Sequence, residues 1–104
     1  RADKNISFDL ETMDALFAKV SKTTKRYANT ITKQGLRKSD VGVNLHAMAL
    51  RLEQFPERLR MALTYNGVFP DPGDQIQIGF TNEFEPLHII HKSTMWLQKK
   101  HNRK

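Results

Sequence analysis

The sequence predicts an α+β domain, mostly α: two long amphipathic helices, the second kinked at Pro56, then a small C-terminal β-hairpin and a short terminal helix. Three observations carry this prediction. Apolar residues step by three and four from Leu10 to Ile31, and again from Val41 to Leu59. That period lines them up along one side of a helix. After a connector rich in proline and glycine, GVFPDPGD, the pattern changes to the alternation of QIQIGF, the period of a half-buried strand. The 104 residues suit a single domain, with a helical part at 9–66 and the hairpin and terminal helix at 75–104.

The first helix is expected over residues 9–34. Asp9 is placed to cap it, and Glu11 and Asp14 fall in the first turns, where the helix dipole favours negative charge. Its apolar side is Leu10, Met13, Phe17, Val20, Thr24, Tyr27 and Ile31, a heptad seam with one polar member. On a wheel of about 100° per residue, Lys19, Lys22, Arg26, Lys33 and Arg37 lie opposite that seam. A helix packed through its seam turns this basic stripe to solvent.

Gly35 is expected to end the helix, and Ser39 or Asp40 to cap the next. Val41, Leu45, Met48, Leu52, Phe55 and Leu59 form the second seam. The heptad frame crosses the gap through Gln34 and Lys38, which leaves two readings. One is an antiparallel helical hairpin broken at 35–39. The other is one long helix forming a dimeric coiled coil. Gly35 costs about 1 kcal/mol relative to Ala inside a helix. With two polar seam positions beside it, the hairpin is favoured. Pro56 lacks a backbone donor and predicts a kink or a restart at PERLRMALTYNG, ending at Asn66-Gly67. Ile76, Ile78 and Phe80 then share one face of a strand, LHIIH supplies a second, and Ser93 caps a last helix, TMWLQKKH. The hairpin is expected to lie on the helices or to pair an exposed edge at 75–80 with another chain.

Chemistry is sparse. No cysteine occurs, which excludes disulfides, thiolate metal sites and a thiol nucleophile. EPLHIIH offers Glu85, His88 and His91 as metal ligands, with Glu83 nearby. A strand puts the two imidazoles on opposite faces, so no metal is expected. No serine sits in a strained elbow, and no glycine motif cradles phosphate. The expectation is a protein that is not an enzyme, with no cofactor and no small-molecule substrate.

Charge is the informative feature. The net charge is +6, from 17 basic and 11 acidic residues. Seven of the basic residues lie in 19–38: Lys19, Lys22, Lys25, Arg26, Lys33, Arg37 and Lys38. Four more close the chain: Lys99, Lys100, Arg103 and Lys104. The rest of the sequence is acidic. Such segregation reads as the footprint of a polyanionic partner. The leading expectation is contact with nucleic-acid backbone (DNA or RNA) through these eleven residues, without a sequence code. Arg58 and Arg60 would extend the patch if the second helix lies beside the first. The alternatives are an assembly protein that self-associates as a dimer through its seam or strand edge, and binding to an anionic membrane surface. The N-terminal RADKNISFDLETM lacks the apolar core of a signal peptide, so the expected setting is intracellular, cytoplasm or nucleus.

Overall fold

In the computed structural model, which describes residues 3–92 and 94–97 (the last four by their backbone), seven elements follow one another. They are β1 (Lys4–Phe8), α1 (Leu10–Lys33), α2 (Lys38–Val41), α3 (Leu45–Tyr65), β2 (Ile76–Phe80), β3 (Pro86–His91) and β4 (Thr94–Leu97). The strands form one antiparallel sheet in the order β1-β2-β3-β4. The two long helices pack side by side on one face of it through a shared core.

Local chemistry sets the helix ends. The Asp9 carboxylate accepts a hydrogen bond from the Thr12 N–H at 3.0 Å, capping α1. Gly35 ends it at φ +79, and the Leu36 N–H reaches back to the Ile31 carbonyl at 3.2 Å. Ser39 and Asp40 do not cap the second long helix. Asp40 instead accepts from the Arg37 N–H at 2.7 Å and closes the single turn of α2. The cap of α3 is Asn44, which accepts from the Ala47 N–H at 3.1 Å. α3 runs through Pro56 as one helix rather than restarting there. Buried side chains on both sides of the proline (Leu52 and Phe55 before it, Leu59 and Leu63 after) anchor it to the core. Each such burial contributes about 1.5–3 kcal/mol, which together outweigh the roughly 3 kcal/mol penalty of an interior proline.

The sheet departs from expectation in two ways. β1 comes from the chain's beginning and pairs with β2, Ile6 opposite Ile78, so residues 75–80 are an interior strand and not an exposed edge. Residues 94–97 form a strand on β3, with Trp96 opposite Ile89, where a terminal helix was expected. The open ladder of β3 supplies backbone partners that four residues of helix could not provide for themselves.

Four phenylalanines knit the layers together. The Phe17 ring lies 5.2 Å from Phe8 and 4.8 Å from Phe55, and Phe55 lies 5.2 Å from Phe80. Met13, Leu52, Leu59, Ile76, Ile78 and Ile89 complete the centre.

α1 packs through the first half of its heptad seam, with Met13 and Phe17 buried and Leu10 and Val20 against the core, but leaves the seam farther along. Its buried residues are Met13, Phe17, Ser21 and Ala28, whereas Tyr27 is 56% exposed. A straight helix drifts about 20° per heptad. The seam therefore slides off the contact line, and a 3.6-residue series of small side chains takes its place. There the buried Ser21 hydroxyl donates to the Ala49 carbonyl of α3 at 2.9 Å.

The helices are also longer than the sheet is wide. Twenty-four residues of α1 rise about 36 Å, against about 17–20 Å for strands of five or six residues. α1 starts at the end of the sheet, one residue after β1, and its Glu11 N–H is bonded to the Pro72 carbonyl of the connector. The excess length therefore projects at the other end. No residue from 21 through 51 belongs to the main core. In this overhanging finger, Ala28, Met48 and Ala49 are buried by helix against helix.

Candidate nucleic-acid interface

Lys19, Lys22, Arg26 and Lys33 all project from α1 on the side opposite Phe17 and Ser21, and all are exposed. Their spacing confines them to an arc of about 60° and spreads them over about 21 Å of helix axis. None of the four makes an ion pair among the described residues. No large apolar or aromatic side chain interrupts the arc, and Tyr27 stands on the flank.

The other three basic residues of the segment are placed differently. Lys25 turns toward α3, with its Nζ 3.6 Å from Glu53. Both partners are more than half exposed, so the pair is weak. Arg37 lies past the end of α1, not on its outer stripe, because the helix stops at Lys33. Its guanidinium is 3.8 Å from Asp40 yet 81% exposed. Lys38 follows it at the tip, exposed and without an ion pair among the described residues. From Lys22 to His46 the finger carries six basic residues and one acidic one, Asp40. Lys99, Lys100, Arg103 and Lys104 lie outside the described residues.

α3 does not extend the stripe. Arg60 is held by Asp14 through two hydrogen bonds, Nη2–Oδ2 at 2.8 Å and Nη1–Oδ1 at 3.2 Å. The hydrogen bond from Arg60 holds the Asp14 carboxyl below its ordinary range, and the same bond raises Arg60. Arg58, two residues earlier on the helix, points away from α1. Between the helices a groove of about 520 Å³ is lined by Asp14, Lys22, Lys25, Glu53, Glu57 and Arg60. Its mixed charge marks the border of the positive face.

The residues of EPLHIIH are drawn apart. Arg51 takes Glu85, at 3.6 Å, and also donates to the Glu83 carbonyl at 2.8 Å. His88 faces Gly79 across the ladder, while His91 Nε2 lies 2.9 Å from Asp74 Oδ2. Among the described residues, no three His, Cys, Asp or Glu side chains gather closely enough to hold a metal ion. Asp74 also meets Lys92 at 3.4 Å, and the hydrogen bond with His91, chief among these contacts, holds its carboxyl below the ordinary range. This cluster fastens the connector before β2 to the end of β3. Neither it nor the Asp14–Arg60 clamp was signalled in the sequence, since each joins residues far apart in the chain. Among the described residues, no helix is long and apolar enough to cross a membrane. Compared with protein-family models, with curated proteins and with solved structures, the chain matches none.

Proposed function

We propose that the outer face of α1 binds the backbone of nucleic acid without reading its sequence. One observation carries this reading: Lys19, Lys22, Arg26 and Lys33 form an aligned row of exposed cations with no carboxylate partner among the described residues. A carboxylate beside each would already have supplied what a phosphate offers. Each cation that meets a phosphate releases condensed counterions, so affinity falls as salt rises. Lys38 and Arg37 at the tip lengthen the contact. Thr23 and Asn29 beside the row can bond phosphate oxygens. Thr24 and Thr30 are less suited, since their hydroxyls donate to the carbonyls of Val20 and Arg26.

The face suits phosphate better than lipid. Nothing apolar in the arc can insert between acyl chains, and the apolar side of α1 over the sheet is committed to the core. Nor does it provide a platform for stacking bases, so the preferred partner is a duplex rather than a single strand. A non-catalytic, intracellular role belongs to the same reading.

The test titrates duplex and single-stranded oligonucleotides at low and high salt, with anionic vesicles in parallel. The expected result is duplex binding that weakens steeply with salt and is lost in Lys22→Glu/Arg26→Glu/Lys33→Glu. Binding to vesicles alone would assign the face to a membrane. Binding to neither, with a defined oligomer by light scattering, would assign the protein to assembly.

A further inference from the structure

We infer that the cleft at the tip of the finger is a docking site for an acidic protein segment that carries an apolar side chain among its carboxylates. The cleft, of about 390 Å³, lies between the end of α1, α2 and the start of α3. Its floor is apolar: Ile31, Leu36, Val41, Val43 and Leu45. Leu36 is 39% exposed and the other four are half-buried, so this floor is incompletely covered. None of the five belongs to the main core. At the rim stand Arg37, Lys38 and His46.

The cleft is shaped before any partner arrives. Gly35 at φ +79 and Gly42 at φ +83 make its two sharp turns. The side chain of Asp40 closes the turn between them, and that of Asn44 caps α3 just beyond. A cleft formed in advance costs its ligand little ordering entropy.

The pairing of an apolar floor with a cationic rim selects the occupant. A phosphate backbone would satisfy the rim and leave the floor wet. A neutral apolar segment would fill the floor and leave Lys38 facing only solvent and Arg37 with only its long, exposed contact to Asp40. A second copy of this chain would bring another positive tip against the first. An acidic segment with a Leu or Phe between its carboxylates satisfies both parts at once. This partner is distinct from nucleic acid, and of the seven cations of the basic segment the cleft takes only Arg37 and Lys38.

The experiment uses the full chain and fluorescence anisotropy with two labelled peptides. One carries a Leu-Phe pair flanked on each side by glutamates. The other has Ser-Ser in place of that pair at equal charge. The apolar peptide is expected to bind at least about tenfold more tightly. Val43→Asp is expected to erase the difference. Leu36→Ser, a change at an already exposed side chain, is expected to cut it by about threefold or more. Lys22→Glu/Arg26→Glu is expected to leave the ratio of the two affinities unchanged, which separates this result from the fate of the duplex reading. Equal binding of the two peptides would overturn the inference. So would a preference that survives both floor substitutions, or one abolished by the α1 substitutions. A wild-type dimer dissolved by Leu36→Ser would assign the cleft to a second copy and overturn it as well.

Discussion

Replacing Phe17 and Tyr27 one at a time by Ala tests which side of α1 is packed. Both residues belong to the heptad seam read from sequence, yet only one is buried. Phe17 is 1% exposed, and its ring meets those of Phe8, Phe55 and Phe80 at 5.2, 4.8 and 6.3 Å. Removing a core phenylalanine costs about 3–5 kcal/mol, from the lost transfer energy and the cavity left behind. A domain of this size has only about 5–15 kcal/mol of net stability. With a urea slope of about 1–3 kcal/mol per molar, Phe17→Ala should lower the midpoint by about 2 M. Tyr27 is 56% exposed, so Tyr27→Ala should cost less than about 1 kcal/mol. Urea melts followed by far-ultraviolet circular dichroism measure both. Equal costs at the two sites would mean that α1 packs through its heptads after all. The contact line through Ser21 and Ala28 would then be refuted, while the basic row, which lies opposite both lines, would still face solvent.

Three further outcomes follow from the same packing. Asp14→Asn should lose no more than about 1 kcal/mol at neutral pH, because the Arg60 pair is exposed and screened. The folded pKa of Asp14 lies below its unfolded value, so the pair stabilises above about pH 4 and fades as pH falls. The deficit of the variant should therefore shrink in acid, and a deficit that grew there would reverse the sign of this assignment. Gly35→Ala should cost about 1 kcal/mol through its backbone alone, since an added Cβ would meet nothing within 4 Å at φ +79; a melt unchanged from wild type would refute it. Ser21→Leu should destabilise by about 1–3 kcal/mol by forcing α1 from α3 and removing the hydrogen bond to Ala49; a stabilised variant would show that the helices do not touch there.

The helical half of the fold was legible because its signals are local. Asp9, Gly35 and Asn66-Gly67 mark ends by chemistry within one turn of the chain. β2 and β3 announced themselves by alternation and by the turn residues before them. β1 did not, because KNISF is five residues whose partner lies about seventy positions later. TMWL is shorter still, and only the open ladder of β3 decides that it extends. The heptad spacing was real in the sequence and still misleading. Over three heptads the drift of a straight helix carries Tyr27 out of the contact and brings Ser21 and Ala28 into it. The outward row survived this correction, since Lys19, Lys22, Arg26 and Lys33 sit opposite both the predicted seam and the true contact line. Arg37 did not, because the wheel extended past the residue where the helix stops. The clamps of Asp14 with Arg60 and of Asp74 with His91 depend on helix pairing and strand register, which no local pattern encodes.

The most direct measurement is the salt dependence of duplex DNA binding, compared between the wild-type chain and a variant with Lys19, Lys22, Arg26 and Lys33 all changed to Gln. Four phosphate contacts predict a slope of log K against log salt that is steeper by about 3–4 in the wild type than in the variant. Equal slopes in the two proteins, or a wild type that does not bind at low salt, would contradict the assignment of this face to nucleic acid.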